Sequence, residues 1–306
     1  MTQLPINARK EFIAGIFITL TGAILFSTKA IIVKLTFRDT STDALSLLTL
    51  RMLFASPFYF IAAWWISRKS PPLKMNRRQY ALLFFYGICG YYLSSLFDFL
   101  GLQYISAGLE RLILFLYPSF AVLLNATLFK QKVLAHQRWA LVLTYFGIGL
   151  AFFGEVYIDA GNPYFYLGSL LVFLCAVTYA FYLVGNGRMI PIMGAGRFTA
   201  YSILIATGGI FLHYLIRGDY SLLQAPAITW KYGLILAVIG TVIPTFLISL
   251  GMKKIGSNNA AIVSSIGPVS TILQAHYVLG EPIFAEQLIG TALVVAGVLV
   301  LGWKMK

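Results

Sequence analysis

The chain repeats itself once, at a fixed offset of 150 residues, across a stretch that is nearly all apolar. With Gln79–Gly154 set above Thr229–Lys304 and no gap, Gly90 falls on Gly240, Gly101 on Gly251, Ile105 on Ile255, Pro118 on Pro268, Gln137 on Gln287 and Gly147 on Gly297. Overall identity is low. What recurs is glycine and proline, the residues that set helix bends and close backbone approaches, whereas apolar filler is free to drift. Each half carries five hydrophobic spans. Five is odd, so two halves read in the same chain direction must cross a bilayer in opposite senses. Inverted repeats of this kind mark secondary transporters.

The composition supports a membrane protein. Of 306 residues 59% are hydrophobic and 11% charged, with a mean hydropathy of +0.82, far outside the range of a soluble domain. The net charge of +13 does not point to nucleic acid, because the cations sit in short links between spans rather than on one face. Cys89 and Cys175 both fall inside spans and read as small core residues. Phe12–Leu35 is too long for a cleavable signal core and is taken as the first retained span.

Ten spans are expected: Phe12–Leu35, Ala44–Ile66, Gln79–Leu102, Ser106–Phe129, Gln137–Gly154, Tyr164–Asn186, Arg197–Ile216, Thr229–Gly251, Ser257–Leu279 and Ala285–Trp303. The first repeat is residues 1–155 and the second 156–306. With the N-terminus cytoplasmic, one side of the membrane holds sixteen link cations, among them Arg68, Lys69, Arg77, Arg78, Lys130, Lys132, Lys253 and Lys254. The other holds Arg38, Arg217 and Lys231. By the positive-inside rule both termini face the cytoplasm of a bacterial inner membrane. Pro57, Pro118, Pro244 and Pro268 lie inside spans, where each frees a carbonyl and permits a bend. Pro118 and Pro268 occupy equivalent places and are the hinge candidates.

Five ionisable residues lie within the apolar spans: Lys29, Arg51, Asp98, Glu110 and Arg111. Each costs about 2.5–3.5 kcal/mol at a span centre unless paired or hydrated. Counting along the helices places all five in one layer in the outer part of the bilayer. Asp98 with Arg111 is the expected direct pair across the hairpin of spans 3 and 4. At the equivalent places the second half has Ile248, Ala260 and Ala261, so the polar layer is asymmetric on a symmetric scaffold. It reads as a structural brace, as an outer gate, or as a site for substrate or a coupled proton, with Asp98 or Glu110 the carrier.

Helical faces sketch a central cavity. Tyr91, Ser94, Ser95 and Asp98 share a side of span 3, and Glu110, Leu114, Tyr117 and Ala121 a side of span 4. Tyr179, Tyr182 and Asn186 do so on span 6, and Ser264, Pro268, Thr271 and Ala275 on span 9. Hydroxyls and rings around a midplane space suit a small amphipathic metabolite. His136, His213 and His276 are scattered without a second ligand at metal spacing, so no metal and no cofactor is expected.

Ten spans as two five-span repeats, each with a proline-bearing fourth helix and a glycine-spaced last helix, resemble the EamA-type transporters of the drug/metabolite transporter superfamily. The local match is Ala261-Ile-Val-Ser-Ser-Ile-Gly-Pro268, then Leu279-Gly-Glu-Pro282, Glu286-Gln287, Gly290 and Gly297. The first repeat keeps Pro118 and Gly147 but has Gln131 where the Glu of Leu-Gly-Glu would stand. The resemblance implies an all-α membrane carrier with a central cavity, alternating access and export of amino acids or related metabolites. A membrane enzyme would need His, Asp or Glu clustered near phosphate-binding groups, and the remaining acids are dispersed. A channel would more often be an oligomer around a pore. The partners expected are a small-molecule substrate and membrane lipid, with a proton as one candidate for a coupled ion that the sequence does not identify.

Overall fold

The computed structural model describes residues 6–69, 71–72, 74–158, 161–218 and 221–302. Trp303, the expected end of the last span, lies outside the described residues with Lys304, Lys306 and the loop acids Asp159 and Asp219. The described chain is all-helical. Among the described residues nine helices are long and apolar enough to cross a membrane: α1 Lys10–Asp39, α2 Ala44–Arg68, α3 Arg77–Gly101, α4 Ala107–Phe129, α5 Ala135–Tyr157, α6 Phe165–Met193, α7 Ala195–Arg217, α8 Ala227–Gly256 and α9 Ile262–Leu279. A shorter apolar helix, α10 Ala285–Val300, follows. In hydrocarbon every backbone donor and acceptor must be satisfied within the span, which leaves helices as the form these runs take.

The links carry ordinary stop and start chemistry. Asp43 caps α2 by accepting from the Leu45 and Ser46 amides. Asn76 and Gln79 close a capping box on α3, and Ser106 takes the Leu109 amide at 3.0 Å to open α4. Most observed ends fall near the expected ones. α6 is the exception, running past Asn186 to Met193, because the break is made at Gly194 with φ +80° rather than at Gly187.

The repeat is visible to the residue. α3 contains a π-helical turn at Ile88–Leu93 and α8 one at Val238–Val242. α4 breaks at Phe115–Leu116 and α9 at Ser265–Ile266, each just before the paired prolines Pro118 and Pro268. α4 ends on Lys130 with φ +54°, and α9 ends at the equivalent Gly280 with φ +75°. α5 and α10 both start 150 residues apart, at Ala135 and Ala285.

Packing obeys the same exchange. α1 lies along α8, and its counterpart α6 along α3. α1 also meets α9 as α6 meets α4, and α2 meets α8 as α7 meets α3. The pairs α5–α10, α2–α7 and α4–α9 map onto themselves. At the α5–α10 seam a Cβ on Gly147 would stand 2.6 Å from the Gly290 carbonyl oxygen, and one on Gly297 would stand 2.9 Å from that of Ala140. Those two contacts are images of each other under the offset. The α1–α8 and α6–α3 seams match too: Gly15 sits against Lys254 and Ile255, and Gly168 against Tyr104 and Ile105. Backbones this close are how small residues join helices in lipid. Since counterparts stand five positions apart in the helix order, an odd step, they run antiparallel and the repeats are inverted.

The exterior is apolar. Phe60, Ile61, Trp64 and Trp65 on α2, with Phe146 and Phe153 on α5, are exposed, a surface suited to lipid. Where α2 leaves the apolar zone, the Arg68 guanidinium lies 4.1 Å from the Trp64 ring centre and the Lys69 ammonium 4.1 Å from that of Trp65, the pairing of ring and cation typical of a membrane interface.

Candidate functional site

We call the face bearing the start of α1 the terminal face, and the opposite one the distal face. The five buried charges gather in the distal half, as the residue count required. Lys29 Nζ meets Asp98 Oδ2 at 2.6 Å. The expected Asp98–Arg111 pair is not formed. Arg111 turns towards α9 and α1, giving Nε–H to Thr271 Oγ1 at 3.0 Å and Nη2–H to the Phe26 carbonyl at 3.2 Å. Phe26 also offers its ring to both cations, with centres 5.9 Å from Lys29 Nζ and 5.7 Å from Arg111 Cζ. The physical reason is azimuth: neighbouring helical positions point about 100° apart, so Glu110 faces Asp98 while Arg111 faces away from it.

Glu110 is wholly buried, and neither of its carboxylate oxygens has a hydrogen-bond donor in reach. Its neighbour is the Asp98 carboxyl, whose Oδ1 also lacks a donor. Arg51 completes the layer from α2. Its Nη2 donates to Ser95 Oγ at 2.9 Å, and the guanidinium lies over the Phe99 ring at 5.0 Å.

Below this layer, towards the middle of the helices, four tyrosines form a chain. Tyr117 meets Tyr179 at 5.1 Å between ring centres, Tyr179 meets Tyr182 at 5.7 Å, and Tyr182 meets Tyr91 at 4.9 Å. The Tyr91 hydroxyl donates to that of Tyr182 at 3.3 Å. Tyr182 in turn stacks on Phe198 and approaches Thr199 Oγ1 at 3.5 Å. The Tyr117–Tyr179 and Tyr182–Tyr91 contacts are edge-to-face, as ring quadrupoles prefer. The structure thus brings together Lys29, Asp98, Glu110, Arg111 and Thr271 in one group, Arg51 with Ser95 in a second, and the tyrosines in a third. Ser264, one residue before the α9 break, is half-buried and joins none of them. Ser94 is also withdrawn, its hydroxyl donating to the Gly90 carbonyl.

The distal face is tied across both repeats. Arg217 of α7 meets Asp43 at 2.6 Å, and the Tyr232 hydroxyl of α8 donates to Asp39 at 2.5 Å. Burial lifts the Asp43 carboxyl, but hydrogen bonds from Ser46 and Arg217 outweigh it and hold the group below the usual carboxylate range. Glu281, in the α9–α10 link, takes the Ala107 amide at 3.0 Å and the Gly108 amide at 3.4 Å at the start of α4, with Lys34 3.7 Å away. A carboxylate there both satisfies orphan amides and meets the positive end of the helix. Sequence reasoning did not place Lys34, Glu281 or the Phe26 carbonyl in the site. The Leu-Gly-Glu element was the one signal that could have.

The terminal face has a cross-repeat tie of its own, Lys254 of α8 with Glu11 of α1, but the terminal half of α4 is looser. Every residue of α4 from Ala107 to Leu116 is buried, but among those after Leu116 Ser119 alone is. The distal part of α4 packs on α9 and its terminal part leans on α6. A crevice of about 310 Å³ opens between α1, α9 and α10, lined by Ile16, Leu20, Ser265, Ile266 and Val295. A smaller one, about 70 Å³, lies at the α4–α5 link beside Asn125, Gln131 and Lys132.

Comparison with known proteins agrees with this architecture. The EamA-like transporter family model matches the chain twice, over residues 13–153 and 166–303. The chain is 30% identical over 293 residues to a protein of Bacillus subtilis (strain 168) named uncharacterized transporter YcbK, covering 92% of this chain and 90% of that one. It is 24% identical over 266 residues to uncharacterized transporter YetK of the same organism, covering 84% and 78%. A solved crystal structure with 19% identity superposes with a TM-score of 0.61 over 94% of this chain and 95% of its own, a likeness of fold. With two matches that span most of its length, the chain belongs to the EamA-like transporter family.

Proposed function

We propose that this transporter is a secondary carrier of the bacterial inner membrane that moves a small organic solute, an amino acid or related metabolite, out of the cell by alternating access. The observation that carries the reading is the exchange symmetry of the main helix seams together with their unequal closure. Equivalent seams occur in both repeats, yet the distal face is tied by Lys34–Glu281 and Arg217–Asp43 while the terminal half of α4 is open. An inverted repeat whose two ends can trade packings opens one face at a time. Helix breaks beside Pro118 and Pro268 supply matching bending points. The excess of cations on the terminal face supports cytoplasmic termini.

A proton is the coupled ion in this reading, and Glu110 its carrier. A buried carboxylate without a donor is costly. As a carboxylic acid it can give its hydrogen to Asp98 Oδ1, which satisfies both groups at once, while Asp98 keeps Lys29. Reconstitution in liposomes with an imposed pH gradient tests the proposal. A gradient-driven flux that is lost in Glu110→Gln, while counterflow without a gradient survives, is the expected result. Equal flux with and without the gradient removes the proton, and no flux of any metabolite removes transport. Cysteines at Arg77 and Lys132 should label from the cytoplasmic side alone, and labelling from the opposite side overturns the orientation.

A further inference from the structure

Within the buried layer neither Arg51 nor Arg111 is bonded to a carboxylate, and of the two Arg51 is the less fully bonded. It is 4% exposed, its Nε–H has no acceptor, and its Nη2 reaches a neutral hydroxyl, Ser95 Oγ. Lys29 has taken Asp98, and Arg111 is held by Thr271 and a backbone carbonyl. An arginine in a lipid-spanning helix without a carboxylate is expensive to keep, and a bulky apolar residue would pack the same space at no such cost. The side chain is nevertheless well held. The Phe99 ring lies under its guanidinium and Ser95 fixes one arm, so the fork is pre-oriented while part of its donor set is unfilled. Its neighbours are the Asp98 carboxylate, which is already bonded to Lys29, Tyr59 from its own helix and Tyr91, the top of the tyrosine chain.

Resting on the transport reading above, we propose that Arg51 is the anchor for a substrate carboxylate, and that the Tyr91–Tyr182–Tyr179–Tyr117 chain receives the apolar or aromatic body of the same molecule. The substrate class is then a monocarboxylate with an apolar or aromatic side group. A guanidinium fork matches the two oxygens of one carboxylate. Lys29 is taken by Asp98 and Arg111 by Thr271 and a carbonyl, so the layer offers no free cation for a second negative charge, which disfavours phosphate esters and dicarboxylates. Rings at the end of the site give contact area without ordering a long flexible chain.

The test uses the purified full-length protein and four probes: phenylalanine, phenylalaninamide, 3-phenylpropionate and phenethylamine. Binding is read by calorimetry in detergent, and flux by counterflow in liposomes. The two carboxylates should bind and move. The amide and the amine should bind about 10- to 100-fold more weakly, the worth of charge-assisted hydrogen bonds to a fixed fork. Arg51→Gln should erase the difference between acid and amide, Arg51→Lys should keep part of it, and Ser95→Ala should reduce it. If Arg51→Gln does not yield monodisperse protein, the wild-type acid-to-amide ratio and the Arg51→Lys variant decide. Amide or amine bound as tightly as the acids, an unchanged preference in folded Arg51→Gln, or no binding of either acid overturns the anchor. Acids that bind but do not move leave the anchor standing and remove transport, whereas flux indifferent to the carboxylate removes the anchor alone.

Discussion

In the first repeat α3 and α4 carry Asp98, Glu110 and Arg111; at the same places in the second stand Ile248 in α8 and Ala260 and Ala261 just before α9. The backbones around them share the π-helical turns of α3 and α8 and the breaks before proline, although α9 has a further π-helical turn at Ala275–Leu279 where α4 stays regular. What has diverged is side-chain chemistry, and what has stayed is the geometry that lets the halves exchange roles. A carrier built this way needs two copies of the hinge and the seam, because each copy must adopt the other's packing. It needs one copy of the site, since there is a single place where the halves meet. The end caps differ too. Glu281 ties the distal end of α4, and the residue at its counterpart position is the neutral, exposed Gln131. Two arrangements that symmetry would make equal in energy are thereby made unequal, in favour of a closed distal face.

Substitutions that treat the halves unequally test this contrast. The largest effect belongs to the ion pair. Asp98→Ala strands Lys29 in the protein interior and should lower stability by about 3–5 kcal/mol, read as a drop in melting temperature in detergent. Ile248→Ala at the equivalent place should cost about 1–2 kcal/mol or less, as a partly buried apolar truncation does. Similar losses at both would show that the charge is no more than packing. Next is the α5–α10 seam. Gly147→Ala pushes a methyl against the Gly290 carbonyl oxygen and should cost about 1–3 kcal/mol. Gly149→Ala, two residues along the same helix with nothing within 4 Å of the new methyl, should leave the melting temperature unchanged or slightly raised. The smallest effect sharpens the caps. Glu281→Ala removes the acceptor for two α4 amides and should cost about 1 kcal/mol, while Gln131→Ala should be near neutral. A cost at Gln131 equal to that at Glu281 would erase the asymmetry between the two faces.

Much of this was legible in the sequence. The offset, the span count and the common depth of the five charges needed only hydropathy, glycine and proline positions, and the rise of a helix. The residue-level register of α1 on α6 was not, because Gly15 and Gly168 stand at a different spacing from the rest and no ungapped register shows them. The ion pairing was also misread, with Arg111 assigned to Asp98. Chain counting gives depth along a helix but not its rotation against its neighbours, and Lys29 comes from a helix distant in sequence. The cap by Glu281 was hidden for the same reason, since its amides belong to the other repeat.

The π-helical turns carry one more consequence. Such a turn holds an extra residue relative to a regular helix, so everything beyond it is rotated by about 100° from where ideal winding would put it. Asp98 lies just past the turn at Ile88–Leu93, and its aim at Lys29 depends on that added step. Loss of one residue from Ile88–Leu93 would rewind α3 into a regular spiral and swing the carboxylate round the helix, away from its ammonium. A membrane helix can thus be re-indexed by a change in length as well as by a change in side chain, and the duplicated turn in α8 keeps the same freedom in reserve.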